Sequence, residues 1–280
     1  MKKLAIITGA DGGMGTEITR EVAKAGYRVI MACYNLAKAE AKRELLVKET
    51  GNPDVEVRYI NLADLSTVAA FADSVLKEGA PVALLMNNAG TMETQRNITV
   101  DGIERTVSVN YVGPYLLTRK LLPLMGEGSR VINMVSCTYA IGRLDFPYFF
   151  EQGCKGSFWR IPIYSNTKFA LTLFTLHLAD LVKEQGIVVN CADPGIVSTD
   201  IITMHMWFDP LTDLIFRPFI RTPRQGADTA IRLLLGEEEG KRTGTLNLSG
   251  KPKCLSEKYT KHPQMHELWN RTETIVKKWL

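Results

Sequence analysis

Short apolar runs alternate with longer amphipathic stretches along this chain of 280 residues. The first run, Leu4-Ala5-Ile6-Ile7 closed by Thr8, carries no polar alternation, which is the pattern of a strand covered on both faces. Such runs predict strands at 3–8, 28–33, 55–60, 82–87, 130–136, 187–192 and 245–248. Between them, apolar residues spaced by three and four predict helices over 13–25, 36–50, 64–78, 99–124, 164–185 and 223–236. Strands and helices in alternation build a parallel sheet with helices on both faces. No linker or repeat interrupts the pattern. The expectation is one α/β domain, residues 1–280, doubly wound, with a seven-stranded, mostly parallel sheet.

Two segments break the alternation. Residues 138–163 are aromatic and irregular, with Tyr139, Phe146, Phe149 and Trp159 among them. Residues 201–222 carry Met204, Trp207, Phe208 and Phe216. Both follow the carboxyl ends of strands, where doubly wound sheets bind ligands. They read as the walls and lid of a pocket for a hydrophobic small molecule.

The first strand runs into Gly9-Ala10-Asp11-Gly12-Gly13-Met14-Gly15, and a helical pattern follows. Strand, glycine-rich turn and helix together make a nucleotide cradle. The glycines let the backbone approach a pyrophosphate, and the helix start offers free N–H groups and a positive dipole end. Further along, Tyr164 and Lys168 stand four apart in Tyr-Ser-Asn-Thr-Lys, one turn apart on one helix face. A cation beside a phenol favours the phenolate, so Lys168 is expected to lower the Tyr164 pKa and fit the phenol for proton transfer.

Composition narrows the reading. A net charge of +4 with dispersed basic residues gives no support for nucleic-acid binding. Lys251-Pro252-Lys253 reads as a solvated loop. The cysteines at 33, 137, 154, 191 and 254 form no C-x-x-C pair and suit a reducing compartment. With a first strand starting almost at Met1 no signal peptide is expected, and with no window of 18 uncharged apolar residues no membrane span is expected. A cytoplasmic location is expected. His262 and His266 are separated by Pro263 without a completing acidic or Cys cluster, so no metal site is expected.

Six motifs in order resemble the short-chain dehydrogenase/reductase family over roughly the whole chain. They are the glycine-rich turn, Asn87-Asn88-Ala89-Gly90, Asn110-Tyr111-Val112-Gly113, the strand ending in Ser136, Tyr164 with Lys168, and Asp193-Pro194-Gly195-Ile196-Val197-Ser198-Thr199. Ala32-Cys33, the long segment between Ser136 and Tyr164, and Leu268-Trp269 are similar to the retinol-dehydrogenase-like and protochlorophyllide-reductase-like members. The resemblance implies a Rossmann domain and an NAD(P)-dependent oxidoreductase interconverting a carbonyl and an alcohol.

The same resemblance implies the roles. Tyr164 is the acid/base, Ser136 orients the reacting oxygen, Lys168 tunes the phenol and holds the nicotinamide ribose, and Asn110 anchors a water leading to Lys168. Gly9, Asp11, Gly13, Met14 and Gly15 surround the pyrophosphate end, and Asn61 and Leu62 meet the adenine. Asn88, Ala89 and Gly90 line the cofactor, with Pro194, Gly195, Val197 and Thr199 around the nicotinamide amide. NADP is expected with NAD also accepted, because Ala32-Cys33-Tyr34-Asn35 lacks the acid that repels a 2′-phosphate. Tyr34 replaces an Arg usual in the subgroup, Asn61 replaces an Asp, and Lys38 stands where it can reach a phosphate. The family habit is a homo-oligomer through the helices at 99–124 and 164–185, although the long inserts resemble monomeric members. A catalytically silent nucleotide-binding regulator and a carbon–carbon double-bond reductase of the protochlorophyllide type stay as alternatives.

Overall fold

The structure, a computed structural model, describes residues 2–197 and 221–280. One sheet organises the chain, with strand order β3-β2-β1-β4-β5-β6-β7-β8. The strands are β1 Leu4–Thr8, β2 Arg28–Cys33, β3 Val55–Tyr59, β4 Val82–Asn87, β5 Arg130–Met134, β6 Val188–Asp193, β7 Thr245–Leu248 and β8 Lys251–Lys253. All neighbours pair in parallel except β7 and β8. The sheet thus has eight strands where the apolar runs predict seven. Lys251-Pro252-Lys253 is not a free loop but a short antiparallel edge strand, with Pro252 opposite Asn247. Its side chains are all exposed, so no apolar signal marked it.

The side-chain alternation of β1 divides the interior. Ala5 and Ile7 join Ile18, Val22, Leu233 and Leu234 on one face. Leu4 and Ile6 join Leu65, Tyr115, Leu173 and Phe174 on the other. Each fully buried aliphatic side chain contributes roughly 1.5–3 kcal/mol of transfer free energy. The first face is covered by α1 Gly13–Lys24, α2 Leu36–Thr50 and α8 Pro223–Leu235. The second is covered by α3 Leu65–Glu78, α5 Gly113–Leu121 and α7 Arg160–Leu181. Helix starts follow their polar residues. Asn35 Oδ1 accepts the Lys38 N–H at 3.0 Å, Asp64 Oδ1 accepts that of Ser66 at 3.0 Å, and Thr222 with Gln225 forms a reciprocal box.

Two departures from the sequence expectations have physical causes. The helix expected from residue 99 begins at α4, Arg105–Val107, because Thr99–Glu104 forms a turn with the Thr99 N–H on the Ile103 carbonyl at 2.8 Å. It continues through a π-helical turn, Ser108–Val112, into α5. The helix expected from residue 164 starts at Arg160, since Pro162 falls in the first turn, where its missing N–H costs nothing. Residues 138–163 also contain α6, Phe146–Gln152. The tail adds α9 Glu257–Thr260 and α10 Met265–Val276. Helix α10 lies on α7 and α5, with Trp269 stacked on Phe174 at 6.0 Å and Glu273 accepting from Tyr115 and Arg119, each at 2.6 Å. No helix among the described residues is long and apolar enough to cross a membrane.

Candidate active site

The site lies over the carboxyl ends of β1, β4, β5 and β6. Gly9 has a positive φ of +61° and turns the chain at the end of β1. Gly15 lets the turn close on itself: a Cβ there would collide with the Gly9 carbonyl oxygen and meet Asn88 Nδ2 at 2.9 Å. Helix α1 therefore starts tightly against the sheet. Its N-cap, Gly12, offers no side chain, and its first turn contains no acid. Among the described residues the N–H groups at Gly13, Met14 and Gly15 meet no acceptor, and they stand in the positive end of the helix dipole. This donor set fits a pyrophosphate.

Asn88 anchors β4 to that turn. Its Nδ2 donates to the Thr8 and Gly9 carbonyls at 2.9 and 3.2 Å, while Thr8 Oγ1 accepts from the Asn88 and Ala89 N–H groups. Among the described residues Asn88 Oδ1 is buried without a partner. A buried unpaired acceptor costs about 1–3 kcal/mol, which a bound polar group would relieve.

Ser136, Tyr164 and Lys168 converge on one cavity of about 310 Å³. Ser136 follows β5, and its hydroxyl accepts the Thr138 N–H at 3.4 Å. It therefore caps the next turn and also faces Tyr164. Lys168 is 3% exposed. Its ammonium donates to the Met134 carbonyl at 2.9 Å and sits 5.4 Å from the Tyr164 ring centroid. Burial pushes the Lys168 pKa down to about 8, against the attraction of Cys191 and Asp193. Burial pushes the Tyr164 phenol up to about 12, while the Ser136 hydrogen bond pulls the other way. The expected lowering of the phenol by Lys168 is thus absent here, because desolvation of the phenolate dominates.

Asn110 sits on the π-helical turn, and its side chain is fully engaged. Oδ1 accepts the Thr91 N–H at 2.7 Å, and Nδ2 donates to the Thr91 carbonyl at 2.8 Å and to Thr167 at 3.1 Å. It ties the strand-four loop to α7 one residue before Lys168. Gly90 is what admits this approach: a Cβ there would lie 3.3 Å from Asn110 Oδ1 and 3.5 Å from Lys168 Nζ.

The remaining expected residues divide. Met14, Asn88, Gly90, Pro194, Gly195 and Val197 line the same cavity as Tyr164. Leu62 is buried and its carbonyl accepts from Ser108 at 2.9 Å. The Asn61 side chain holds its own turn through the Ala63 N–H at 3.0 Å. Tyr34 is 62% exposed and leans on Tyr59 at 6.1 Å. Lys38 is drawn to Asp11 at 3.9 Å. Thr199 and most of the segment 201–222 lie outside the described residues. His262 and His266 face different aromatic neighbours, Phe169 at 5.1 Å and His177 at 4.8 Å.

The sequence alone missed several groups. Thr138 lines the cavity with a buried hydroxyl that has no partner among the described residues, and Cys137, Met92 and Ile161 also face it. Asp193 is 2% exposed, accepts the Gly195 N–H at 2.9 Å and has its pKa raised by burial. Thr138 stood two residues beyond Ser136 and was the one with a readable signal. The Met134 carbonyl that holds Lys168 leaves no trace in side-chain identities.

Comparison with known proteins shows the family to which the chain belongs. The profile of the family described as short chain dehydrogenase matches residues 3–148 and 152–205. Retinol dehydrogenase 12 of Bos taurus is 33% identical over 271 residues, covering 96% of this chain and 84% of that one. The polyprenol dehydrogenase of Homo sapiens is 31% identical over 280 residues, with 96% and 84% covered. A crystal structure from Mycobacterium paratuberculosis superposes with a TM-score of 0.77 at 26% identity, covering 98% of this chain and 93% of that one. The L-sorbose reductase of Gluconobacter frateurii, complexed with NADPH and L-sorbose, superposes at 0.70 with 22% identity, over 91% and 98%. With its glycine-rich turn, its Ser136–Tyr164–Lys168 cluster and these relatives, the chain belongs to the short chain dehydrogenase family, in its retinol-dehydrogenase-like branch, and is an oxidoreductase of that family.

Proposed function

We propose that this enzyme interconverts a carbonyl and an alcohol on a hydrophobic small molecule, using NADP with NAD as a second acceptable cofactor. The carrying observation is that Ser136, Tyr164 and Lys168 open together onto one cavity whose other walls include Met92, Val135, Ile161 and Ile196. A mainly apolar cavity onto which a few polar groups converge suits a substrate with a reacting oxygen on a hydrocarbon body. Relatives named for retinol and polyprenol, both hydrophobic alcohols, point the same way.

The α1 N-terminus would hold the pyrophosphate, and Asn88, Gly90, Pro194, Gly195 and Val197 would line the nicotinamide end, with Thr199 assigned there by its motif. The bound nicotinamide supplies or accepts the hydride. The chain's own residues manage the proton. Tyr164, neutral across the physiological range, gives its hydroxyl proton to the substrate oxygen during reduction. Ser136 takes a hydrogen bond from the Thr138 N–H, which leaves its own proton for the same oxygen. Lys168, charged below its pKa of about 8, steadies the phenolate that results. Asn110, through Thr91 and Thr167, keeps Lys168 in place.

The test is nicotinamide absorbance with a panel of retinoid, polyprenyl and steroid carbonyls and alcohols. Tyr164→Phe should lower turnover by about 10²–10⁴-fold while cofactor affinity and the thermal midpoint stay unchanged. Unchanged turnover in that variant would remove Tyr164 from the chemistry. Silence of the unaltered, cofactor-loaded protein on every panel member would sink the substrate assignment.

A further inference from the structure

Strand order places the carboxyl ends of three strands side by side: β3, β2 and β1, in that sequence across the sheet. On the reading above, the pyrophosphate belongs at the end of β1, where α1 starts. The adenine belongs beyond the end of β3, beside Asn61 and Leu62. The adenosine ribose joins the two, so it must pass over the end of β2.

What stands there is unexpected from β2 itself. Residues 32–35 contain no acid. Asn35 is engaged as the α2 cap, its Oδ1 held by the Lys38 N–H at 3.0 Å. Tyr34 turns to Tyr59. A carboxylate nevertheless reaches the spot from the glycine-rich turn. The Asp11 side chain is 15% exposed and lies against the thiol of Cys33, the last residue of β2; burial first, and the Asp11 charge after it, push that thiol up to about 12. Lys38, 47% exposed on the first turn of α2, places its ammonium 3.9 Å from Asp11 Oδ2.

We infer that Asp11 and Lys38 together select the group at the 2′ position of the adenosine ribose. Asp11 accepts a hydrogen bond from a free 2′-hydroxyl, the task usually given to an acid on β2. Lys38 meets a 2′-phosphate and offsets the repulsion from Asp11. Because the two charges cancel, the unaltered protein takes both cofactors, with affinities within about tenfold of each other. The inference rests on the dinucleotide reading above and goes beyond it in naming the residues that choose.

The experiment is calorimetric titration of NADPH and NADH into the substrate-free protein, with competition by 5′-ADP and by 2′-phospho-5′-ADP to isolate the ribose position. Asp11→Asn should raise the NADPH-to-NADH affinity ratio about fivefold, and Lys38→Met should lower it about fivefold, the size of one exposed charge contact. The half-exposed Lys38 contributes little to folding, so its variant carries the test even if Asp11→Asn loosens the turn. Folded variants that both keep the parent's ratio within about twofold would overturn the inference. A parent protein that binds neither nucleotide would overturn the dinucleotide reading, and the selector with it.

Discussion

Lys168 is buried at a cost to the fold. A buried ammonium whose pKa falls from 10.5 to about 8 is a group the native state would rather hold neutral. At pH 7 it is charged in both states, and the folded protein bears a penalty of about 3 kcal/mol, taking about 1.4 kcal/mol for each pH unit between the two values. Between pH 8 and 10.5 the unfolded chain binds more protons than the folded one, so stability rises with pH there. Lys168→Met should therefore raise the thermal midpoint by several degrees at pH 7 and abolish turnover. The gain should shrink as the pH approaches 10, which a pair of melting curves would reveal. A variant less stable than the parent at pH 7 would mean that the hydrogen bond to the Met134 carbonyl outweighs the burial of charge. Tyr164 has the opposite tendency, since burial keeps its proton on. On the proposed reading, the resting site is thus set as a proton donor.

Among the elements, α1 is decided by one residue. Alanine is a better helix former than glycine by about 1 kcal/mol, so propensity alone would favour Gly15→Ala. The added methyl would strike the Gly9 carbonyl and lie 2.8 Å from Ala10 Cα, both backbone, and overpacking of that kind costs about 1–3 kcal/mol. The collision should win. We expect a lower thermal midpoint and dinucleotide affinity reduced at least about tenfold by displacement of the α1 N–H groups. A variant with the parent's affinity would show that the turn tolerates a shift. This element was legible in the sequence because four glycines in seven residues have one steric explanation after a buried strand. The central strands were legible too, being apolar on both faces. Helix α10 was not, because its buried residues, such as Leu268 and Thr272, mix with polar ones and its partners lie far off in α5 and α7. Nor was the Asp11–Cys33–Lys38 contact, which exists only once β1 and β2 are side by side.

At the scale of the molecule, the motifs spread from residue 8 to residue 197 are gathered because every one follows a strand or lines the helix beside it. Parallel pairing aligns the carboxyl ends, so residues distant in sequence share one rim. Among the described residues the same sheet has two outer strands, β3 and β8, with no strand beyond either one. Such strands invite another chain to add itself in register, and globular proteins blunt them with lysine, proline and short length. The three residues of β8 are Lys, Pro and Lys, all exposed, and Pro252 has no N–H to offer. On β3, Glu56 and Arg58 pair with Arg28 and Glu78 and crowd that border with charge. The triplet that carries no apolar signal thus protects the protein from association into extended sheets. Replacing it with β-formers, as Lys251→Thr, Pro252→Val and Lys253→Thr together, should leave the midpoint of unfolding near the parent's. Light scattering on concentrated samples should then grow with time in the triple variant and stay flat in the parent; equal traces would mean that β8 is guarded by something other than its composition.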